Sequence, residues 1–280
     1  MMSKPIAELL EIAKDIAVQA GKEVLDIYDK GDFEAYEKDD ESPVTSADYR
    51  ANEIIVEALK RLTPKIPIMS EETTIPPLLE RENWRRYWLI DPIDGTQEFI
   101  ARSGDFTVNI ALIEDNKPVI GVIYWPCGQS LYFASHNEGA YKRCPIETKP
   151  INVRKFSVPS EDVVVIAISR RQSRERVLNR LTSKREYQTL PTGSCSLKAC
   201  FIAEGKADVF MRLGKTGEWD TGASQCIINE AGGEICAADF NEITYNLRES
   251  VDNPDFVVLG DSRVDWRSIV QYYSTDESDS

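Results

Sequence analysis

Leu89-Ile90-Asp91-Pro92-Ile93-Asp94-Gly95-Thr96-Gln97-Glu98-Phe99 is the stretch on which the fold and the chemistry of this chain turn. The apolar run from Tyr87 to Ile90 predicts a buried strand. It stops at two aspartates, a proline, a glycine and a threonine. Strand ends in α/β proteins are where ligands are handled. Two carboxylates three residues apart around a proline turn can converge on one hard cation. Gly95 lets the backbone approach a ligand closely, and Thr96 supplies a hydroxyl. These are the groups that hold Mg²⁺ and a phosphate.

On either side of that stretch the pattern alternates between helix and strand. Ile6, Leu9, Leu10, Ala13, Ile16, Ala17, Ala20, Val24 and Ile27 recur at three- and four-residue spacing and predict a long amphipathic helix. The polar run Lys30 to Glu41 reads as a loop. Ser42-Pro43-Val44-Thr45-Ser46-Ala47-Asp48 then leads into a second helix with Ala51, Ile54, Ile55, Ala58 and Leu59 on one face. Ile66 to Met69 predicts a short strand that closes on Ser70-Glu71-Glu72. Thr107–Ile113, Val119–Tyr124 and Ser130–Ala134 read as an antiparallel meander. Pro145, Pro150 and Pro159 break the pattern and mark a boundary between an N-terminal α+β part, 1–150, and a C-terminal α/β part, 151–273. In the second part, strands are expected at Val163–Ile168, Ala207–Leu213 and Phe256–Leu259. Helices are expected at Ser173–Leu181, Ser194–Glu204, Thr221–Ala231 and Val264–Tyr272. Ser274 to Ser280 is a polar acidic tail expected to be disordered.

The chain has 280 residues and a formal net charge of −14, with a pI near 4.7. Nucleic-acid binders are usually basic, so a DNA or RNA partner is not expected. An acidic protein that handles an anionic substrate needs local positive charge, from metal ions or clustered Arg and Lys. The six cysteines form no Cys-x-x-Cys pair and read as reduced thiols of a cytoplasmic protein. No N-terminal segment resembles a signal peptide, and no run reaches transmembrane length, so no membrane partner is expected. The single histidine, His136, lies in a polar turn, so any catalysis proceeds without a histidine base or ligand.

Acidic residues fall at element ends: Asp48, Glu71 with Glu72, Asp91 with Asp94, and Asp220. Each has a plain structural explanation. Thr45-x-x-Asp48 matches a capping box, Asp220 could N-cap a helix beginning at Thr221, and Glu71-Glu72 could be a solvated pair. The Asp91–Asp94 pair resists such an explanation. It closes a strongly apolar strand, where unpaired carboxylates repel one another and lose solvation.

Asp91-Pro92-Ile93-Asp94-Gly95-Thr96, with Trp219-Asp220-Thr221-Gly222-Ala223 and Ser70-Glu71-Glu72, resembles the inositol monophosphatase superfamily of Mg²⁺-dependent, lithium-sensitive phosphomonoesterases. The resemblance runs from the first helix to about residue 260. Within the superfamily the chain is most similar to the 3′(2′),5′-bisphosphate nucleotidases of the CysQ type, on the segments 42–48, 94–100 and 104–113. The resemblance implies a mixed α/β fold, a layered αβαβα sandwich with the metals between its two halves. It implies that Glu71, Asp91, Asp94, Asp220 and the carbonyl of Ile93 bind two or three Mg²⁺. It also implies that Asp48 and Thr96 form a hydrogen-bonded pair that deprotonates the attacking water, and that the amides of Gly95 and Thr96 hold the phosphate.

The second half should choose the substrate. Gly193-Ser194-Cys195-Ser196-Leu197-Lys198 places small residues and hydroxyls at a helix N-terminus, which suits an anion. Ser194 stands where the resembled form has glycine. Arg212 precedes Leu213-Gly214 where inositol monophosphatases carry a glutamate. A guanidinium there can grip a second phosphate bidentately. Arg212 and Lys198 therefore favour a bisphosphorylated small molecule, and Arg170 of Ser169-Arg170-Arg171 resembles an element near the nucleoside. The implied reaction is hydrolysis of 3′-phosphoadenosine 5′-phosphate to AMP and phosphate, with 3′-phosphoadenosine 5′-phosphosulfate as a second substrate. The alternative is an inositol polyphosphate 1-phosphatase, or activity on both. A non-catalytic metal-binding protein is disfavoured, because Glu71, Asp91, Asp94, Thr96 and Asp220 are all present.

Overall fold

The structure is a computed structural model that describes residues 4–38, 43–157 and 162–271. The expected tail Ser274–Ser280, Ser42, Pro159, Tyr272 and the 39–41 end of the polar run lie outside those residues. The chain opens with α1 (Ile6–Lys30), a small hairpin of β1 (Ala35–Glu37) and β2 (Pro43–Thr45), and α2 (Ser46–Leu62). It continues with β3 (Ile68–Ser70), a short α3 (Leu78–Arg81), β4 (Arg86–Asp94) and a short α4 (Thr96–Ile100). The meander follows as β5 (Thr107–Glu114), β6 (Lys117–Trp125), β7 (Ser130–Ser135), β8 (Ala140–Cys144) and β9 (Glu147–Ile151). The second half runs β10 (Val164–Ile168), α5 (Arg174–Leu178), β11 (Tyr187–Pro191), α6 (Cys195–Ala203), β12 (Val209–Arg212), α7 (Glu218–Glu230), β13 (Glu234–Ala237) and β14 (Phe256–Leu259).

Seven strands form one sheet in the order β3-β4-β5-β6-β7-β8-β9, and five form another in the order β11-β10-β12-β14-β13. Side-chain alternation sorts the layers. Trp88 and Ile90 of β4 face α1 and α2, in a core shared with Leu9, Ala17, Ile55 and Leu59. Tyr87 and Leu89 face the other way, into a core with Ala223 and Ile227 of α7 and with Phe210 and Phe256 of the second sheet. On the far side, Ile166, Met211 and Val257 pack against Val177, Trp266 and Ile269. The result is the expected αβαβα stack, with α6 and α7 as its middle layer. Continuous apolar runs mark the central strands because both their faces are covered.

Four details differ from the sequence expectation. Residues 35–37 of the polar run are strand, paired antiparallel with Pro43–Thr45; all three are exposed, so no apolar alternation reveals them. The proline-broken region contains β9, an edge strand on which Pro150 costs the ladder little. β11 and β13 are also edges, too short to carry a pattern. The helix expected from Val264 reduces to one 3₁₀ turn, Trp266–Ser268. Trp266, Ile269 and Val270 are buried at helical spacing, but the backbone then leaves to pair with Arg180–Thr182, through Thr182 N–H to Ile269 O and Gln271 N–H to Arg180 O.

The middle layer sits close to the large sheet. A Cβ placed on Gly121 of β6 would lie 2.3 Å from the carbonyl oxygen of Ala223 in α7. Gly121→Val should therefore push α7 away and cost about 3 kcal/mol of stability. A denaturant melt checks this, and an unchanged midpoint would show that α7 tolerates displacement.

Candidate active site

β4 and β5 pair Asp91 with Asn109 and Asp94 with Thr107, so three steps along one strand match two along the other. The extra residue is a β-bulge. In a regular strand, side chains three apart point to opposite faces; the bulge turns Asp91 and Asp94 to the same one. β3 runs parallel beside β4, and Glu71 N–H donates to Ile90 O at 3.1 Å, which sets Glu71 next to Asp91. Asp220 arrives from the first turn of α7. One carboxylate oxygen each of Asp91, Asp94 and Asp220 lies within 4.8 Å of the other two.

Asp48 and Asp220 are oriented by the same local device. Asp48 is the third residue of α2, and its Oδ2 accepts from the Thr45 N–H at 2.8 Å. This is the capping box read from the sequence. It leaves Oδ1 free to accept from Thr96 Oγ1 at 3.0 Å, so the cap and the Asp48–Thr96 pair coexist. Asp220 is not the cap residue of a helix starting at Thr221: α7 begins at Glu218, and Asp220 Oδ2 accepts from the Gly217 N–H at 2.8 Å. Each carboxylate thus spends one oxygen on a helix start and turns the other toward the site.

The centre is electrostatically costly as it stands. Burial first, then Glu71, Asp94 and Asp220, push the Asp91 carboxyl well above its usual range. Desolvation, then Asp94 and Glu71, do the same to Asp220. Asp91 Oδ1 is buried with no hydrogen-bond partner. An all-oxygen donor set, converging and with one buried oxygen unpartnered, fits a hard divalent cation such as Mg²⁺. Asp48 is pushed up to about 6 by burial, against hydrogen bonds from Thr45 and Thr96 that lower it.

The other residues singled out in the sequence divide into two groups. Ile93, Gly95, Thr96, Ser194, Lys198 and Arg212 line one cleft of about 280 Å³ with Glu71, Asp91, Asp94 and Asp220. Within it the Ser194 hydroxyl and the Ser196 N–H each donate to Asp94 Oδ2 at 2.6 Å. Lys198 is not in solvent: it is 4% exposed, and its Nζ donates to Ser194 O at 2.6 Å and Gly193 O at 3.3 Å. Burial lowers its ammonium pKa. Arg212 donates through Nη2 to Lys215 O at 3.1 Å, while its buried Nε has no partner. Arg170 is outside the cleft lining. Its Nε donates to Asp105 Oδ2 at 2.9 Å, the same oxygen that accepts from the Gly193 N–H at 2.8 Å. Arg170 therefore braces the turn before α6.

Three side chains make contacts that the sequence reading did not assign. Lys38 places Nζ 2.9 Å from Glu71 Oε1 and 2.6 Å from Glu72 Oε1. Burial lowers the Lys38 pKa, but the two carboxylates outweigh that and raise it. Glu72 is not a solvated acid: its side chain is 4% exposed, and burial pushes it up to about 7. Arg171 reaches across to α4, donating to Gln97 Oε1 at 2.6 Å and Gln97 O at 2.9 Å. Lys38 and Arg171 are single cations in polar stretches, where sequence carries no positional signal. A larger groove of about 460 Å³, lined by Val18, Lys22, Tyr124 and Arg143 among others, contains no carboxylate and offers no comparable chemistry.

A two-sheet sandwich with an acidic centre at the end of β4 is the architecture of a known phosphatase family. A sequence profile of the inositol monophosphatase family matches residues 6–260, and the chain belongs to that family. The 3′(2′),5′-bisphosphate nucleotidase CysQ of Haemophilus influenzae is 40% identical over 259 residues, covering 92% of this chain and 94% of its own. That of Salmonella typhimurium is 42% identical over 252 residues, covering 89% and 99%. The crystal structure of CysQ from Bacteroides thetaiotaomicron superposes with a TM-score of 0.79 at 36% identity, covering 91% of this chain and 98% of that one.

The raised carboxyls fix the sign of a pH effect. Asp91 and Asp220 bind protons more tightly folded than unfolded, so the stability this brings is fully present below about pH 4 and is lost as pH rises through their raised values. In EDTA the melting temperature should fall as pH rises above about 4, and Asp91→Asn should flatten the dependence and raise stability at neutral pH. Saturating Mg²⁺ should stabilise the parent but not the variant. A parent protein whose melting temperature is indifferent to both EDTA and pH over this range would contradict a strained acidic centre.

Proposed function

We propose that this protein is a Mg²⁺-dependent 3′(2′),5′-bisphosphate nucleotidase that hydrolyses 3′-phosphoadenosine 5′-phosphate to AMP and phosphate, with 3′-phosphoadenosine 5′-phosphosulfate as a second substrate. The observation that carries the reading is the unpartnered Asp91 Oδ1 in a three-carboxylate centre that shares its cleft with Thr96, itself bonded to Asp48. Full-length likeness to nucleotidases at about 40% identity supports the substrate class.

Glu71, Asp91, Asp94, Asp220 and the Ile93 carbonyl would hold two or three Mg²⁺. Bound there, Mg²⁺ supplies positive charge to the phosphoryl and leaving oxygens and acidifies the attacking water. Thr96 takes a proton from that water as its own hydroxyl proton passes to Asp48 Oδ1. Asp48, whose carboxyl burial raises above its ordinary value, suits that task. Gly95 and Thr96 open α4, so their N–H groups have no intrahelical carbonyl and can hold the phosphate. Arg212 offers its unpartnered Nε to the second phosphate, and Lys198 has a third N–H to spare beyond its two carbonyls. On this reading residues 1–150 carry most of the metal ligands and 151–273 select the substrate. All six cysteines are free, which suits the reducing cytoplasm. Among the described residues, no helix is long and apolar enough to cross a membrane.

Thr96→Ala and Asp48→Asn should each lower kcat by roughly 100-fold, and the double variant should be little worse than either, because the two act as one unit. Effects that multiply would separate them. At saturating Mg²⁺ the kcat/KM of the parent should fall on the acid side, since only ionised Asp48 accepts a proton, and the Asp48→Asn residual activity should lack that limb.

Phosphate release from a panel of nucleotide and inositol bisphosphates, with Mg²⁺, Ca²⁺ or EDTA, tests the substrate assignment. Arg212→Glu should depress kcat/KM for 3′-phosphoadenosine 5′-phosphate by about 3 kcal/mol and spare inositol 1-phosphate, which has no second phosphate to hold. An unchanged ratio between the two substrates would remove Arg212 from the site.

A further inference from the structure

Arg81 is a completely buried guanidinium whose hydrogen bonds go to no carboxylate. Nε donates to Pro76 O at 2.9 Å, Nη1 to Asn246 Oδ1 at 2.6 Å, and Nη2 to Arg248 O at 2.8 Å and Glu249 O at 2.6 Å. Asn246 answers by donating Nδ2 to Arg81 O at 2.7 Å. A buried cation bonded only to neutral oxygens is costly, though the buried Glu218 carboxylate nearby partly offsets this, and a fork this fully used holds a specific geometry. That geometry joins α3, which follows the Glu71 strand, to residues 246–249, which follow α7 by more than a dozen residues.

The segment from Tyr245 to Asn253 wraps the start of α7. The Asn246 N–H donates to both oxygens of Glu218, at 3.0 and 3.1 Å, and Glu218 is fully buried as the first residue of the helix. Tyr245 Oη lies 2.5 Å from Gln225 Oε1 and 3.0 Å from Thr221 Oγ1. Asn253 Nδ2 donates to Gly217 O at 2.5 Å, and the Glu218 N–H donates to Val251 O at 2.9 Å. Asp220 is thus enclosed: the residues on both sides of it are gripped by this strap, and its own Oδ2 is tied to Gly217 N–H. The strap is fastened to the first half of the chain through Arg81, through Leu78 N–H to the Glu249 carboxylate and through Asn116 Nδ2 to Tyr245 O at 2.7 Å; of these only the Arg81 fork bonds Asn246 itself.

We propose that Arg81 is a positioning residue for the acidic centre. Through Asn246 and Glu218 it fixes the first turn of α7, and with it the carboxylate that Asp220 turns toward Asp91 and Asp94. The proposal rests on the reading of Asp220 as a metal ligand. Arg81 does not line the cleft, and its effect is on how tightly the preformed centre binds the ion. Groups that orient metal ligands from behind typically change metal affinity by 10- to 100-fold.

The test is Mg²⁺ titration calorimetry on the substrate-free full chain, paired with thermal melts in EDTA. Arg81→Met should weaken Mg²⁺ binding by about tenfold or more, while kcat at saturating Mg²⁺ stays within about threefold of the parent. Asn246→Ala removes one fork contact and keeps the N–H to Glu218, so it should fold even where Arg81→Met does not, with weaker Mg²⁺ binding in the same direction. A lowered melting temperature with an unchanged Mg²⁺ dissociation constant in the folded variants would overturn the proposal, leaving Arg81 a structural staple only. Asp220→Asn is the reference. If it binds Mg²⁺ as tightly as the parent, the metal-ligand reading itself fails and takes the proposal with it, which is a different result from normal Asp220→Asn loss with an inert Arg81.

Discussion

Mutual repulsion among carboxylates governs this molecule. Asp91, Asp94 and Asp220 are brought within 4.8 Å of one another in a desolvated setting, an arrangement that an unconstrained chain would relax by moving apart. The rest of the structure can be understood as what prevents that relaxation. Asp91 and Asp94 cannot separate because a bulge in β4, paired with β5 on both sides of it, fixes them on one face. Asp220 cannot withdraw because its second oxygen closes a helix start. Helix N-termini contribute directly: the amides of Cys195 and Ser196 at the start of α6 donate to Asp94 at 3.2 and 2.6 Å, partial positive charge aimed at fixed negative charge. The repulsion that remains, with Asp91 Oδ1 left unpartnered, is what makes the centre suited to a divalent ion.

The layers explain why two halves of the chain meet there. The large sheet delivers Glu71, Asp91 and Asp94 from neighbouring strands, and the middle helices deliver Asp220 and the Ser194 turn. Asp105, just before β5, ties the two together by accepting from Gly193 and Arg170 on the opposite side of the cleft. The approach is close: a Cβ on Gly193 would sit 2.5 Å from Glu98 Cγ. The acidic centre and the Ser194 turn therefore meet at one junction, and Arg171 reaches over its outer edge to Gln97.

Much of this was legible in the sequence where burial writes a pattern. Central strands announce themselves by continuous apolar runs, α1 by its stripe, and the Asp-Pro-Ile-Asp turn by acids where none should be affordable. The edges were not legible: β1 and β11 bury too little to leave a periodicity, and β13, though mostly buried, is only four residues long. The Trp266–Val270 stretch misled for the opposite reason: its apolar spacing is helical, yet a β-bridge between Val270 and Leu181 decides its backbone. In the site, Asp48 was read twice, as a cap and as the partner of Thr96, and one oxygen accepts from the Thr45 N–H while the other accepts from Thr96. Lys38, Arg171 and Arg81 could not be assigned, since a cation's partners are set by tertiary contact and not by its neighbours in the chain.

Ser194 has φ +50°, in the region where glycine is at ease and other residues are rare. Its hydroxyl compensates by donating to Asp94 Oδ2 at 2.6 Å and accepting from the Leu197 N–H at 3.0 Å. The same bend can therefore be reached by two chemically unlike routes, one through backbone freedom and one through anchoring. A lineage that drifts between them keeps its architecture while exchanging flexibility at the cleft wall for an extra donor on a key acid. Positions of this kind look like departures when aligned letter by letter, although in three dimensions they are equivalent answers to one steric demand.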